Sequence, residues 1–565
     1  MRNHSLGLTF VVTMTLFAAL AQSGLAAAWP GPDPEDAAGI MPVSQIKRGM
    51  RGYGLTVFQG STIEKFDVEI LGVLKQMNVG RDLIMIRAGG GPITARRAGI
   101  ISGMSGSPVY VDGKLIGAVA FGTQFGREPL GMVTPIADML EAWDENLPKS
   151  ASGYSSPEPE RQPLPRPLVI DGVTVTEVCL DPPGAARRGV EDGVLYMQPL
   201  MTPVMVSGMS ARGLSALADI LRPFRLQPMA GPGGGGAKDE GAGLVPGAAV
   251  GVSLATGDVD LTGIGTLTYR RGDKVLAFGH PMLGIGAIDA PLTTAYVNDV
   301  VPGYRDSFKL ATPLRTVGRV FQDRPWSVAG RVGEQPRMIP VVVEVDDLSS
   351  GRRRTCRTSV IDHPLIASRI ATLVVGESIY QTHPTPGDAT AEVEYEVVAD
   401  QVGKITRRNV FFDPVAVDTA ALSDIGALLQ LLSANRFQPL DIQSVTVKVR
   451  IAGKRETALV DRIFVKKSEY EPGETVEVGV VLRPYKGERI TRTCRIRIPA
   501  TAADGKVTLL VRGGRTDVLP VVVAERMAGT FPYLRLVTIE DSGHSVPTDR
   551  PEELARAIRS FLAGT

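Results

Sequence analysis

The stretch Gly99–Gly122, GIISGMSGSPVYVDGKLIGAVAFG, carries two serines on a glycine-rich bend between apolar runs. Asp112-Gly113 sits between two β-rich runs, the strongest short-range signal for a hairpin. The bend before it, GMSGSP, is of another kind. Glycines at 103 and 106 admit positive φ without steric cost, so the chain can turn sharply around Ser105. A serine hydroxyl becomes a nucleophile when a neighbouring base takes its proton. The acyl intermediate then needs backbone N–H donors aimed at its oxyanion, and the amides of Gly103 and Ser105 are the candidates for that hole. By residue type alone an ordinary Gly-Ser turn is the commoner reading, so the question passes to where a base lies.

Working outward, the flanking segments keep a strand rhythm. In EKFDVEIL (64–71), Phe66, Val68 and Ile70 face one way while Lys65, Asp67 and Glu69 face the other. TPIADMLEAW (134–143) predicts a helix with Thr134 as N-cap and Pro135 at its first position. Residues 40–145 form one β-rich segment, and the proline-rich stretch 146–172 reads as a linker or long loop. Residues 173–245 are mixed, with a helix at GLSALADILRPF and a glycine-rich loop. The strand pattern resumes over 246–345, in GIGTLTYRRGDKVLAFGHPMLGIG (263–286), where the RGD tripeptide is best read as a hairpin turn. Residues 346–435 mix strands and helices, and the strict alternation over 436–502 suggests a small β-sandwich. The final segment, 503–565, reads strand, helix, strand, helix, the rhythm of a parallel α/β unit.

Composition bounds the function classes. The chain has 565 residues, many glycines and prolines, few aromatics and a net charge of +1. That length suits three or four domains, and the balanced charge points away from nucleic acid or a polybasic membrane patch. Residues 1–28 hold an arginine, an apolar run and Ala26-Ala27-Ala28, the pattern of a cleavable secretory signal. An uncleaved anchor is the rival, but the run is shorter than the roughly 20 residues a bilayer span needs. An exported, periplasmic or extracellular protein without a later membrane span is expected. Cys179, Cys356 and Cys494 lie far apart without metal-ligand spacing, so neither a metal nor a cofactor is expected.

Five histidines are present, and His4 falls in the signal. His363 and His383 lie in polar loops, DHPL and THPT. His280 comes just after an apolar strand, between Gly279 and Pro281. Taken together, GIISGMSGSPVYVDGKLIGAVAFG and GIGTLTYRRGDKVLAFGHPMLGIG resemble the SpoIVB-type serine peptidase family, over roughly 40–145 and 246–345. Further echoes are SFKLATPLRTVGRVFQDRPWSVAGRVG and EKFDVEI. The resemblance implies Ser105, not Ser107, as nucleophile and His280 as base. It also implies a chymotrypsin-like fold: two antiparallel β-barrels, one bearing Ser105 and the other His280, with protein or peptide substrates. Three departures stand out. The serine part precedes the histidine part, as in a circular permutation, which the geometry of such a constellation tolerates. The family's acid would fall near Gly90, where there is no carboxylate, so that either a backbone carbonyl or a remote Asp orients His280, or the site is weakened. No PDZ-like segment is evident.

The segment 503–565 resembles the end of an α/β-hydrolase, with Asp517 and His544 where that family keeps its acid and histidine. No G-x-S-x-G elbow exists anywhere in the chain, so this reads as an inactive remnant. The expected fold class is mainly β: a double barrel, a β-sandwich-like domain and a short α/β fragment. Two functions remain open: an exported serine endopeptidase, or a weak or inactive pseudopeptidase acting as an envelope binding or assembly module.

Overall fold

The structure is a computed structural model that describes residues 39–500 apart from 96–98, 124–127, 149–159, 171, 181–188, 233–242, 304–306, 436–439 and 499. The expected signal and the hydrolase-like tail, with Asp517 and His544, lie outside the described residues.

Alternation of Val and Ile with small or polar residues builds the first sheet. Its first six strands are β1 (Arg51–Val57), β2 (Ile63–Asn78), β3 (Arg81–Gly89), β4 (Pro108–Val111), β5 (Lys114–Gly122) and β6 (Leu130–Pro135). They pair in the order β4-β1-β2-β3-β6-β5, and β5 pairs back to β4, which closes an antiparallel barrel. In β2, Phe66, Val68 and Ile70 are buried and Lys65 and Asp67 are on the other face, as the alternation requires. Asp112 and Gly113 both take positive φ in the β4–β5 hairpin. A short α1 (Gly91–Ala95) precedes the serine turn, and α2 (Ile136–Leu140) comes after β6.

Thr134 does not cap that helix. Thr134 and Pro135 end β6, Pro135 is the N-cap residue, and no side chain caps the helix. The Thr134 hydroxyl is instead spent on Gly279 of the second barrel, a contact that sequence distance hides. The sheet continues through β7 (Glu160–Ile170), β8 (Val173–Leu180), β9 (Val190–Glu191) and β10 (Val194–Pro199), with β10 joined to β5. Thus part of the proline-rich stretch is a strand, paired antiparallel to β8 around a register shift between Pro163 and Leu168.

The second sheet opens with β11 (Thr202–Ser207), α3 (Ala211–Leu221, capped by Ser210) and β12 (Leu226–Ala230). Its second closed ring comprises β13 (Ala249–Gly257), β14 (Asp260–Arg271), β15 (Lys274–Ala277), β16 (Gly286–Val301), β17 (Phe308–Arg324) and β18 (Ser327–Val332). The order β14-β15-β18-β17-β16-β13 closes through β13–β14, every pair antiparallel. The RGD tripeptide is the β14–β15 turn, with Gly272 at φ +59°. The protein is therefore mainly β with a double barrel.

From β13 the same sheet runs on through β19 (Met338–Asp347), β20 (Arg352–Ile361), β21 (Ala389–Ala399), β22 (Gly403–Asp413) and β23 (Ile442–Ala452). Helices α4 (Ala367–Thr382), α5 (Val417–Ala421) and α6 (Ser423–Ser433) are inserted among these strands. β23 pairs with β19 and β21, so the alternating run after residue 436 is divided. Only β24 (Ala458–Val465), β25 (Thr475–Pro484) and β26 (Ile490–Arg497) form a separate three-stranded sheet. The three cysteines are not joined in disulfides, Cys494 being exposed and the other two buried.

Candidate active site

The serine turn belongs to the first barrel by sequence and is bonded to the second by geometry. Just before it, Ser102 N donates to Ser307 O at 2.9 Å, and Lys309 N donates to Ser102 O at 3.0 Å. The turn then crosses β14. Thr266 N donates to Ser105 O at 2.8 Å, Thr266 Oγ1 to Gly103 O at 3.0 Å, and Thr268 Oγ1 to Gly106 O at 2.7 Å. It returns to its own barrel through Gly106 N to Val119 O at 2.8 Å and Val119 N to Ser107 O at 3.0 Å. Gly106 is at φ +91°, and a Cβ there would stand 2.0 Å from Thr266 O and 2.4 Å from Phe278 N. No other residue fits that position.

His280 is delivered by two successive left-handed residues after β15, Phe278 at φ +68° and Gly279 at φ +69°. The non-glycine member stores strain of about 1–3 kcal/mol. Its fully buried ring packs beneath Gly265 and meets the His280 ring edge-on, with centroids 6.2 Å apart at 86°. Gly279 faces the first barrel: a Cβ on it would lie 3.2 Å from Ala118 Cβ and 3.3 Å from Ala120 Cβ. Its carbonyl accepts from Thr134 Oγ1 at 2.6 Å. The structure thus brings the Ser105 turn and the His280 turn together on one stretch of β5. Val119 holds the first through its backbone, and Ala118 and Ala120 hold the second.

The state of the ring depends on its partner. His280 Nδ1 is 2.7 Å from Pro281 O. A carbonyl only accepts, so Nδ1 carries the proton and Nε2 presents a free lone pair. Burial dominates the titration and lowers the pKa to about 4, with the Pro281 hydrogen bond opposing it and Arg225 adding a smaller lowering. The imidazole is neutral at pH 7. Its Nε2 and Ser105 Oγ are both buried without a hydrogen bond, to each other or to any other group among the described residues. Nor do the amides of Gly103 and Ser105 donate a hydrogen bond among the described residues. Ser107 Oγ is unpaired as well, but Ser107 N is spent on Met104 O. Of the two serines, only Ser105 combines an unspent hydroxyl with an unspent amide.

No carboxylate among the described residues bonds to the His280 ring, and the exposed Asp67 is the acid that lies against Gly90. A different acid, for which the local sequence holds no signal, secures the loop instead. Asp323, at the end of β17, accepts from the amides of Met282, Leu283 and Gly284 at 2.8, 2.6 and 3.0 Å. Burial raises its pKa to about 6 against the opposing pull of those amides. Asp323 clamps the chain immediately after His280-Pro281, and the Pro281 carbonyl fixes the tautomer. Lys309 is equally silent in the sequence, a fully buried lysine whose aliphatic stem lies under Gly103. A charged residue in a strand is ordinarily assigned to the solvent face, which hides both.

The other histidines serve elsewhere. His383 Nδ1 contacts Asp347 Oδ2 at 2.9 Å, beyond the end of α4, and His363 Nδ1 accepts from Leu365 N at 3.3 Å. Among the described residues no cluster of His, Cys, Asp and Glu could hold a metal ion.

Residues 32–124 match the family of the SpoIVB peptidase S55. The matched span contains five of the six strands of the first barrel and the whole serine turn, and it ends before His280. No curated protein and no solved structure matches the chain.

Proposed function

We propose that this chain is an exported serine endopeptidase of the SpoIVB kind, with Ser105 as nucleophile and His280 as base. The family match over the serine turn supports a serine peptidase of that kind. One observation carries the finer assignment: Ser105 Oγ and His280 Nε2 are buried without a partner on two turns that share residues 118–120 of β5. Leaving a buried polar group unpaired costs about 1–3 kcal/mol, so two such groups on adjoining turns call for a functional reason.

On this reading Ser105 Oγ attacks the scissile carbonyl carbon and its proton passes to His280 Nε2. The oxyanion takes the unspent amides of Gly103 and Ser105. As the C–N bond breaks, His280 returns the proton to the leaving amine, and water then repeats the cycle on the acyl-enzyme. Substrates are proteins or peptides, met after export directed by residues 1–28.

One observation favours the second reading, a pseudopeptidase that serves as an envelope binding or assembly module. Ser105 is 0% exposed and His280 1% exposed, so substrate must open the site before chemistry. Labelling of the purified mature protein with a fluorophosphonate decides between them. The peptidase reading expects labelling of wild type, with Ser105→Ala abolishing it and His280→Ala slowing it by several orders of magnitude; losing either member costs on the order of a million-fold in turnover in a well-studied serine peptidase. Equal, weak labelling of all three proteins would leave the binding module standing.

A further inference from the structure

We infer that Lys309 is a positioning residue of this site, a buried cation behind the serine turn that acts through Thr266 on the Gly103 carbonyl and lends positive charge to the hole formed by the Gly103 and Ser105 amides. The inference rests on the peptidase reading.

Lys309 is the second residue of β17, and it points inward: it is 0% exposed while Phe308 and Leu310 beside it are half-buried. Its backbone anchors the chain just ahead of the turn through Ser102. Its Cβ, Cγ and Cδ would each lie 3.2 Å from a Cβ on Gly103, which sits at φ +93°. The stem is therefore the floor beneath the turn. At its end Nζ reaches Thr56 Oγ1 of β1 at 2.7 Å and Thr266 Oγ1 of β14 at 3.4 Å. One side chain thereby ties both barrels to the turn.

The direction of these bonds matters. An ammonium has donors only, so the Thr266 oxygen accepts from Lys309 and its own hydrogen is left for Gly103 O at 3.0 Å. The relay runs Lys309 to Thr266 to Gly103, and it pins the peptide next to the proposed anion hole. The groups that meet the ammonium are the hydroxyls of Thr56 and Thr266, while the turn rests on the aliphatic stem. No carboxylate pairs with it among the described residues, and burial alone lowers its pKa to about 7. A charge buried without a counter-ion is costly, and an apolar residue of similar length would fill the space more cheaply. An anion that arises only during reaction supplies the missing partner.

The test is the rate of fluorophosphonate labelling against pH, for the full mature chain and for Lys309→Met, together with thermal melting of both. In the labelling step the Ser105 O–P bond forms, fluoride leaves phosphorus and the Ser105 proton passes to His280. Wild type is expected to label faster as pH rises through about 4, where His280 becomes neutral, and slower again through about 7, where Lys309 loses its proton. Lys309→Met is expected to label about 100-fold more slowly near pH 6 and to lose the upper limb. It should also melt at a higher temperature, a gain that a purely structural lysine would not give on removal. Labelling of the variant at the wild-type rate, or a lower melting temperature with labelling unchanged, overturns the role of Lys309 and leaves the peptidase reading intact. If the variant does not fold, the wild-type profile decides alone, and a rate that climbs through pH 7 overturns the inference. A folded wild type that labels at no pH overturns the peptidase reading and, with it, this inference.

Discussion

At the scale of single residues, His280 makes the sharpest statement about pH. The folded protein keeps its imidazole neutral down to about pH 4, because burial opposes the charged form, whereas an unfolded chain takes up the proton near 6.5. Between those values the unfolded state binds more protons, so stability is present above pH 6.5 and withdrawn as pH falls toward 4. The amount is on the order of 3 kcal/mol. A His280→Gln variant should accordingly lose less melting temperature than wild type between pH 7 and pH 4.5. Equal losses would mean that the folded imidazole is already charged. Ser105 and His280 could be singled out as candidates from the sequence because each stands beside glycines and within a motif that resembles the peptidase family. Lys309 and Asp323 were not, since what marks them is the absence of solvent, and burial is a property of the neighbours rather than of the residue.

At the scale of elements, turns defined by adjacent residues read correctly and contacts between distant elements did not. The Asp112-Gly113 hairpin and the RGD turn are local geometries, fixed by which residues tolerate positive φ. Thr134 reads locally as a helix cap, yet its hydroxyl goes to Gly279, 145 positions away. The seating of the serine turn on β14 is likewise non-local, and it makes a prediction of its own. Gly106→Ala must displace Thr266 O or the Phe278 backbone, with no flexible side-chain end to yield. The expected loss is about 3 kcal/mol or more, read from the denaturation midpoint at constant slope. An unchanged midpoint would show that the turn does not rest on β14.

For the whole molecule, the second barrel is not separable from the strands and helices that extend its sheet. β13 pairs with β16 at Val250–Val252 and with β20 at Ala255–Gly257, so one strand serves both the ring and the outer sheet. One continuous core runs from Val250 and Val252 through Val341 and Val343 to Ile370, Val374 and Val447. A chain ended after residue 345 removes β20, α4 and β23 from that core and exposes their apolar partners. Such a chain is expected to lose its cooperative transition, monitored by the fluorescence of Trp143 and Trp326. A chain ended after residue 457 keeps the core and should melt within a few degrees of the full protein. If the shorter chain melts as the longer one does, the barrels are an independent unit.

The amino-acid order alone determined the β class, the hairpins, the glycine-framed serine and the histidine after a strand, because each is set by backbone sterics over a few neighbouring residues. Only the tertiary structure decided which strands close each ring, that both turns rest on residues 118–120 of β5, and that a lysine and an aspartate lie inside with them. Ring closure and burial depend on strands far apart in the chain finding their register, and no local pattern encodes which hydroxyl or amide will be left unspent once they have.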